Sequence, residues 1–158
     1  SVDLLNPSCW KNLHTIEHIA PEKPDSTDND WDTRIYTQIE SDAVNSIGNL
    51  TLLPQSVNAS VSNRSWRSKK FMYKILSTPG EADKNALISQ CADYQLTPPT
   101  SELLQKRTTY MAQLDALARV QDDWTLELIG QRGQRIAQLA WDKLFEWLKV
   151  EADSREPT

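Results

Sequence analysis

His14-Thr15-Ile16-Glu17-His18-Ile19-Ala20-Pro21 and, further along, Ile47-Gly48-Asn49-Leu50-Thr51-Leu52-Leu53-Pro54-Gln55-Ser56-Val57-Asn58 are the stretches on which the reading of this chain turns. From Leu13 to Ile19 apolar and polar residues alternate, the two-residue period of a half-buried strand. Pro21 and Pro24 end regular pairing, because proline fixes φ and lacks the backbone donor. Leu50 to Leu53 is a short apolar run, competent for a second strand, that Pro54 stops. Beyond it Val57, Val61, Trp66, Phe71, Ile75 and Leu76 predict a helix or helix–loop–helix to about residue 77. The expected order is strand, long loop, strand, helix, and nowhere else in the chain are reactive side chains so dense.

Working outward, residues 1–13, with Leu4, Leu5 and Trp10, read as a short helix or irregular lead-in. Asp25 to Asp32 is an acidic loop in which Asp30 or Asp32 is suited to cap a following helix. Trp31, Ile35, Ile39 and Val44 place an apolar stripe on a helix over about 32–46, closed by Gly48-Asn49 as a C-cap. After the break at Ser77-Thr78-Pro79-Gly80 the pattern predicts helices over about 81–93, 101–120 and 123–150, the last loosened at Gly130 and Gly133. Their aromatic residues are expected to serve core or inter-domain packing, and residues 151–158 to form a disordered tail. The expected architecture is α+β and mostly helical. A small strand–strand–helix module within residues 1–76 is expected to pack on a helical extension, 81–150, as one compact unit.

Composition agrees with a globular, helix-rich chain: of 158 residues 39% are apolar and 25% charged, and only 4 are glycine. No apolar run is long enough to span a bilayer. The opening Ser1-Val2-Asp3-Leu4-Leu5 reads as a cut inside a longer protein, with neighbours expected on its N-terminal side. The two cysteines, Cys9 and Cys91, exclude a four-thiolate zinc site and are expected to be buried free thiols of a cytoplasmic protein, the alternative being a single disulfide. Net charge is −5, yet Arg64, Arg67, Lys69, Lys70 and Lys74 follow one another with no acid among them. A focused basic strip on an acidic body suits one defined polyanion contact more than general coating of nucleic acid, the alternative being a solvated helix face.

Hydrolysis of a phosphodiester needs an activated water, neutralisation of charge growing on phosphate, and help for the leaving oxygen. An imidazole, which titrates near neutral pH, can supply the first, so His18 is the candidate base. A hard divalent ion, Mg²⁺ or Mn²⁺, keeps several waters and needs few protein oxygens, for which Glu17 and Asn58 are the candidates. In an ideal strand Glu17 and His18 face opposite ways, so a bend or bulge before Ala20-Pro21 is required to bring both to one site. Asn49, at the turn into the second strand, is suited to tying the long loop to neighbouring backbone. His14 is read as structural.

These residues carry a resemblance. Glu17-His18-Ile19-Ala20-Pro21, Trp31, Gly48-Asn49-Leu50-Thr51-Leu52-Leu53, Asn58, and Asn63 through Trp66 to Lys69 together resemble the HNH (His-Me finger, ββα-metal) nuclease domain at the C-terminus of GmrSD-type restriction enzymes. The resemblance covers residues 13 to about 74. It implies a metal-dependent DNA endonuclease that nicks one strand, with His18 as general base, Asn58 and Glu17 as metal ligands, and Asn49 as the loop-ordering member of the catalytic motif. Asn63 and Lys69 belong to the motif with phosphate contact or positioning as their role, and Arg64, Arg67 and Lys70 are expected on the phosphate backbone. It further implies a role in defence against phage DNA and an N-terminal NTPase or sensor domain of the same protein. Many HNH enzymes carry Asp where this chain has Glu17. The competing reading is a catalytically silent DNA-binding or protein-docking domain that keeps the nuclease shape; a third is an RNase.

Overall fold

β1 (Thr15–His18) pairs antiparallel with β2 (Leu50–Leu53), Thr15 opposite Leu53 and His18 opposite Leu50, to make a two-stranded sheet. The structure is a computed structural model and describes residues 15–24, 30–37, 42–106 and 110–153, with side chains to 149. The remaining elements are α1 (Arg34–Thr37), α2 (Gln55–Val61), α3 (Trp66–Leu76), α4 (Glu81–Ile88), α5 (Pro98–Lys106), α6 (Asp115–Ala118) and α7 (Leu126–Asp153). Short 3₁₀ turns lie at Ile47–Asn49, Cys91–Tyr94 and Ala112–Leu114. The chain is thus mostly helical around one small sheet, in keeping with the α+β expectation.

Both strands and the helix pair α2–α3 stand where the periodicity placed them, and three other expectations are corrected. Residues 42–46 of the helix expected over 32–46 are in turns, so Gly48-Asn49 lies in a 3₁₀ turn leading into β2 rather than in a C-cap. The helix expected over 81–93 ends at Ile88 and gives way to the 3₁₀ turn at Cys91. In place of one helix over 101–120 there are α5, begun earlier at Pro98, and the single turn of α6. Proline at a helix start costs nothing, since its missing N–H would be unpaired there anyway. The lead-in, residues 25–29 of the acidic loop, His14, Cys9 and the tail beyond Asp153 lie outside the described residues; residues 151–153, expected in the tail, continue α7, and Cys91 is a buried free thiol.

α3 is the central helix. Trp66, Ser68, Lys69, Phe71, Met72, Tyr73, Ile75 and Leu76 are buried on it, which leaves only Arg67, Lys70 and Lys74 to face outward. Its first turn is capped twice: Ser65 Oγ accepts from Ser68 N, and the Asp30 carboxylate accepts from Trp66 N (3.1 Å) and Arg67 N (3.0 Å). Three tryptophans join the parts of the molecule. Trp31 meets Trp66 at 6.2 Å between ring centroids, and Trp66 meets Trp124 at 5.0 Å, both tilted.

Asp32 acts at two helix starts. Its Oδ1 accepts from Arg34 N (3.0 Å), and its Oδ2 accepts from Leu126 N at the head of α7 (3.0 Å). The Arg34 guanidinium binds both of its oxygens and also the Glu127 carboxylate. The Arg34 hydrogen bonds, helped by the Leu126 amide, hold the Asp32 carboxyl down at about 2. A carboxylate depressed in the folded state contributes stability above its unfolded value of 3.8, and that stability is lost as pH falls through about 2. Asp32→Asn is expected to cost about 1–2 kcal/mol at neutral pH. Thermal melts between pH 6 and pH 2 should show a shallower acid decline in the variant than in the parent chain.

α7 is continuous through both glycines, so neither breaks it. Its first half passes against the 3₁₀ turn before β2 so closely that a Cβ on Gly48 would stand 1.9 Å from Ile129 O. Its second half leaves Leu139, Trp141, Leu144, Phe145, Trp147 and Leu148 exposed, whereas Trp124, just before the helix, is wholly buried. Among the described residues no helix is long and apolar enough to cross a membrane.

Candidate active site

His18 closes β1, and the chain bends immediately afterwards at Ile19-Ala20. The register of the strands runs regularly to the His18–Leu50 pair, with no bulge within β1, and the bend follows it. Glu17, His18, Glu22, Asn58 and Asn63 all line one cleft of about 290 Å³, with Ile16, Pro21, Lys23 and Ser62 completing it.

The His18 ring is partly exposed, and its Nε2 lies 3.1 Å from Asn45 Oδ1. Asn45 commits its Nδ2 to both oxygens of Asp42, at 2.9 and 3.1 Å, so only its carbonyl oxygen is left for the imidazole. An amide oxygen accepts and cannot donate, which assigns the hydrogen of the neutral ring to Nε2 and the lone pair to Nδ1. Nδ1 makes no hydrogen bond among the described residues. Glu22 Oε1 stands 3.9 Å from Nε2, a second negative group near a ring that would become positive on taking a proton.

Asn58, half-buried on α2, donates from Nδ2 to Thr15 Oγ1 and Ile16 O, each at 2.9 Å. Thr15 Oγ1 in turn donates to Leu53 O at 2.8 Å, so the amide is held by the sheet itself. With both N–H groups spent on β1, Oδ1 is the atom left without a hydrogen-bond partner among the described residues.

Glu17 is buried, and its Oε1 takes a 2.6 Å contact from Lys69 Nζ. Lys69, on α3, is wholly buried and also donates to His18 O at 2.8 Å. Burial raises the Glu17 carboxyl and lowers the Lys69 ammonium, and in each case the opposite charge of the partner offsets part of the shift. Glu17 Oε2 makes no hydrogen bond among the described residues.

Asn49 is buried away from this cleft. Its Oδ1 accepts from Ala20 N (2.8 Å) and Trp124 Nε1 (3.0 Å), and its Nδ2 donates to Ala20 O and Val44 O, both at 2.8 Å. One side chain therefore fastens the bend after His18, the loop before β2 and the segment ahead of α7. Arg132 of α7 adds a clamp on the same turn, donating from Nη1 to Gly48 O (2.7 Å) and Leu50 O (2.9 Å).

The cations divide three ways. Lys69 faces the core, where no ligand at the surface meets it. Arg64 is spent on Ser60 O, Gln95 O and Thr100 Oγ1 and ties α2 to Gln95 and to the first turn of α5. Arg67 and Lys70 face outward with Lys74, lining a different groove from the His18 cleft. Asp42, Asn45, Glu22, Trp124 and Arg132 were not singled out by sequence reasoning. Asp42 and Asn45 are one helical turn apart and Glu22 lies four residues after His18, a weak signal without the bend that folds them together.

The donors present suit a hard divalent ion rather than a soft one. Among the described residues, two oxygens without hydrogen-bond partners, Asn58 Oδ1 and Glu17 Oε2, belong to side chains of one cleft beside Glu22, and no cluster of three or more His, Cys, Asp or Glu suited to a metal exists.

The chain thus carries a histidine at the end of a two-stranded sheet and an anchored asparagine on the helix that follows, within a domain of the restriction-nuclease class by its family match. It belongs to the family of GmrSD restriction endonucleases, C-terminal domain, whose family model matches residues 3–139. No curated protein matches the chain. The family match takes in the whole cleft and the first half of α7.

Proposed function

We propose that the domain is a divalent-metal-dependent DNA endonuclease of the HNH, ββα-metal kind that nicks one strand per site. The observation that supports it is the meeting of His18, Asn58 and Glu17 at one solvent-open cleft, with a ring nitrogen and two oxygens left without hydrogen-bond partners among the described residues. In this reading Asn58 and Glu17 would hold Mg²⁺ or Mn²⁺, which would supply charge stabilisation to the phosphate and the departing 3′-oxygen.

The rest of the work falls to the chain. His18 Nδ1 takes a proton from the attacking water, and the imidazolium that results keeps its Nε2 hydrogen on Asn45, backed by the Asp42 carboxylate and by Glu22. Asn49 and Arg132 hold the loop so that the ring does not swing, which is the positioning a near-attack geometry needs. Asn63, at the rim, is placed to touch the strand being cut. In the same reading the domain is the cutting part of a cytoplasmic anti-phage protein whose NTPase or sensor portion lies N-terminal to it.

The test is relaxation of supercoiled plasmid by the domain with Mg²⁺ or Mn²⁺, abolished by a chelator. Asn58→Ala is expected to cost about 10–100-fold at limiting metal and to recover part of that loss as the ion is raised. DNA binding without cutting under any divalent ion would favour the silent DNA-binding alternative.

A further inference from the structure

The His18 cleft is poorly equipped to attract a polyanion on its own. Of its two lining carboxylates Glu17 is matched by the buried Lys69 and Glu22 is exposed, and among the described residues Lys23 is its one lining cation. A denser set of cations lies elsewhere on the surface.

A second groove, of about 550 Å³, runs between α3 and the segment from α6 to Gln121. Arg67, Lys70 and Lys74 line it from α3, spaced i, i+3 and i+7, so that all three share one helix face. Lys69, which points to Glu17, stands about 200° around the helix from Arg67 at about 100° per residue, so the groove and the cleft occupy different sides of α3. None of the three groove cations forms a salt bridge among the described residues. The fourth, Arg119, is matched by Asp115 at 3.0 Å. The groove thus carries an excess of three positive charges on a chain whose net charge is −5.

These cations are held against aromatic rings. The Arg67 guanidinium lies 5.2 Å from the Tyr94 ring centroid, and Lys70 Nζ lies 5.6 Å from that of Trp66. Tyr94 is itself stacked on Phe71 at 3.7 Å, nearly parallel. With Tyr94 already engaged by Phe71 and Arg67, the groove offers charge rather than a bare ring for an unstacked base. That favours the phosphates of a duplex over a single strand. The two sites are joined through the start of α3: Asn63 lines the cleft, and Arg67, four residues later, lines the groove.

We infer that the α3–α6 groove is an exosite for the sugar–phosphate backbone of duplex DNA flanking the cut strand, gripped by Arg67, Lys70 and Lys74. It rests on the DNA-nuclease reading and adds to it where the affinity resides. The contact carries no sequence information, since phosphates carry none.

The experiment measures binding of a 30-base-pair duplex across a salt series, in a His18→Ala background so that the probe is not cut. Arg67→Gln/Lys70→Gln/Lys74→Gln is expected to weaken binding and to lower the slope of log K against log salt by about 2–3, near 0.9 for each lost phosphate contact. A control set of equal charge change, Lys106→Gln/Arg135→Gln/Lys143→Gln, should leave the slope within about 0.5. All six side chains face solvent, and melting temperatures check that each variant is folded. An unchanged slope in the groove variant, or an equal fall in the control, overturns the exosite. Plasmid cutting with His18 restored separates the two readings. Normal cutting with an unchanged slope sinks the exosite alone. A lowered slope with no cutting by the unmodified domain sinks the nuclease reading and leaves the groove standing.

Discussion

His18→Ala is expected to slow relaxation of supercoiled plasmid by about 10²–10⁴-fold, the usual loss when a positioned general base is removed. The loss should fall on the chemical step, because the ring contributes little to the fold: it is partly exposed and its hydrogen-bond partner is the exposed Asn45. The melting temperature should therefore stay close to that of the parent chain, as for a surface substitution within about 0.5 kcal/mol. Asn45→Ala belongs in the same assay. It keeps the imidazole but removes the acceptor that assigns its hydrogen to Nε2, so its rate should lie between those of the parent and His18→Ala. Cutting by His18→Ala at the parent rate, with the same ion and substrate, would remove this residue from the mechanism.

Lys69→Met is expected to be the most damaging single change to stability, at about 3–5 kcal/mol. Methionine fills most of the volume but leaves Glu17 buried without its counter-charge, and it also removes a donor from His18 O. For a domain of this size that corresponds to a fall of roughly 6–20 °C in melting temperature. The pH dependence has a definite sign. Burial already raises the Glu17 carboxyl above its ordinary value, and loss of the ammonium raises it further. A carboxyl raised in the folded state favours folding at low pH and loses that contribution as pH rises through its folded value. The deficit of Lys69→Met should accordingly be smaller near pH 5 than near pH 8. Adding Glu17→Gln should return part of the lost stability, since the uncompensated charge is then gone. A deficit equal at both pH values, with no recovery in the double variant, would show that the pair does not govern the stability of this region.

Much of the cleft was legible in the chain because its parts are local. Alternation from Leu13 to Ile19, the apolar run stopped by Pro54, and the helix after it place His18 at a strand end and Asn58 on the next helix. Where reading by period failed, a tertiary contact had overridden a local pattern. Val44 continues a helical stripe, yet the chain at 42–46 turns so that Asn49 can reach Val44 O and Ala20. Gly48 has the composition of a helix cap, but its task is to let α7 approach. Asp30 and Asp32 are capping residues by type, and two of the helix starts they satisfy, those of α3 and α7, lie far along the sequence.

By itself the sequence determined the two strands, the succeeding helices and the residue types at one potential reaction centre, because those depend on periodicity, proline and side-chain chemistry within a few residues. Only the tertiary structure decided what each charged group does. Lys69, Arg64, Arg67 and Lys70 form one basic strip as letters, yet around α2 and α3 they become a buried counter-ion, a clamp and an outward face. A helix turns about 100° per residue, so neighbours in sequence face different surroundings, and the surroundings set whether a cation is neutralised, hydrogen-bonded or free to meet a ligand.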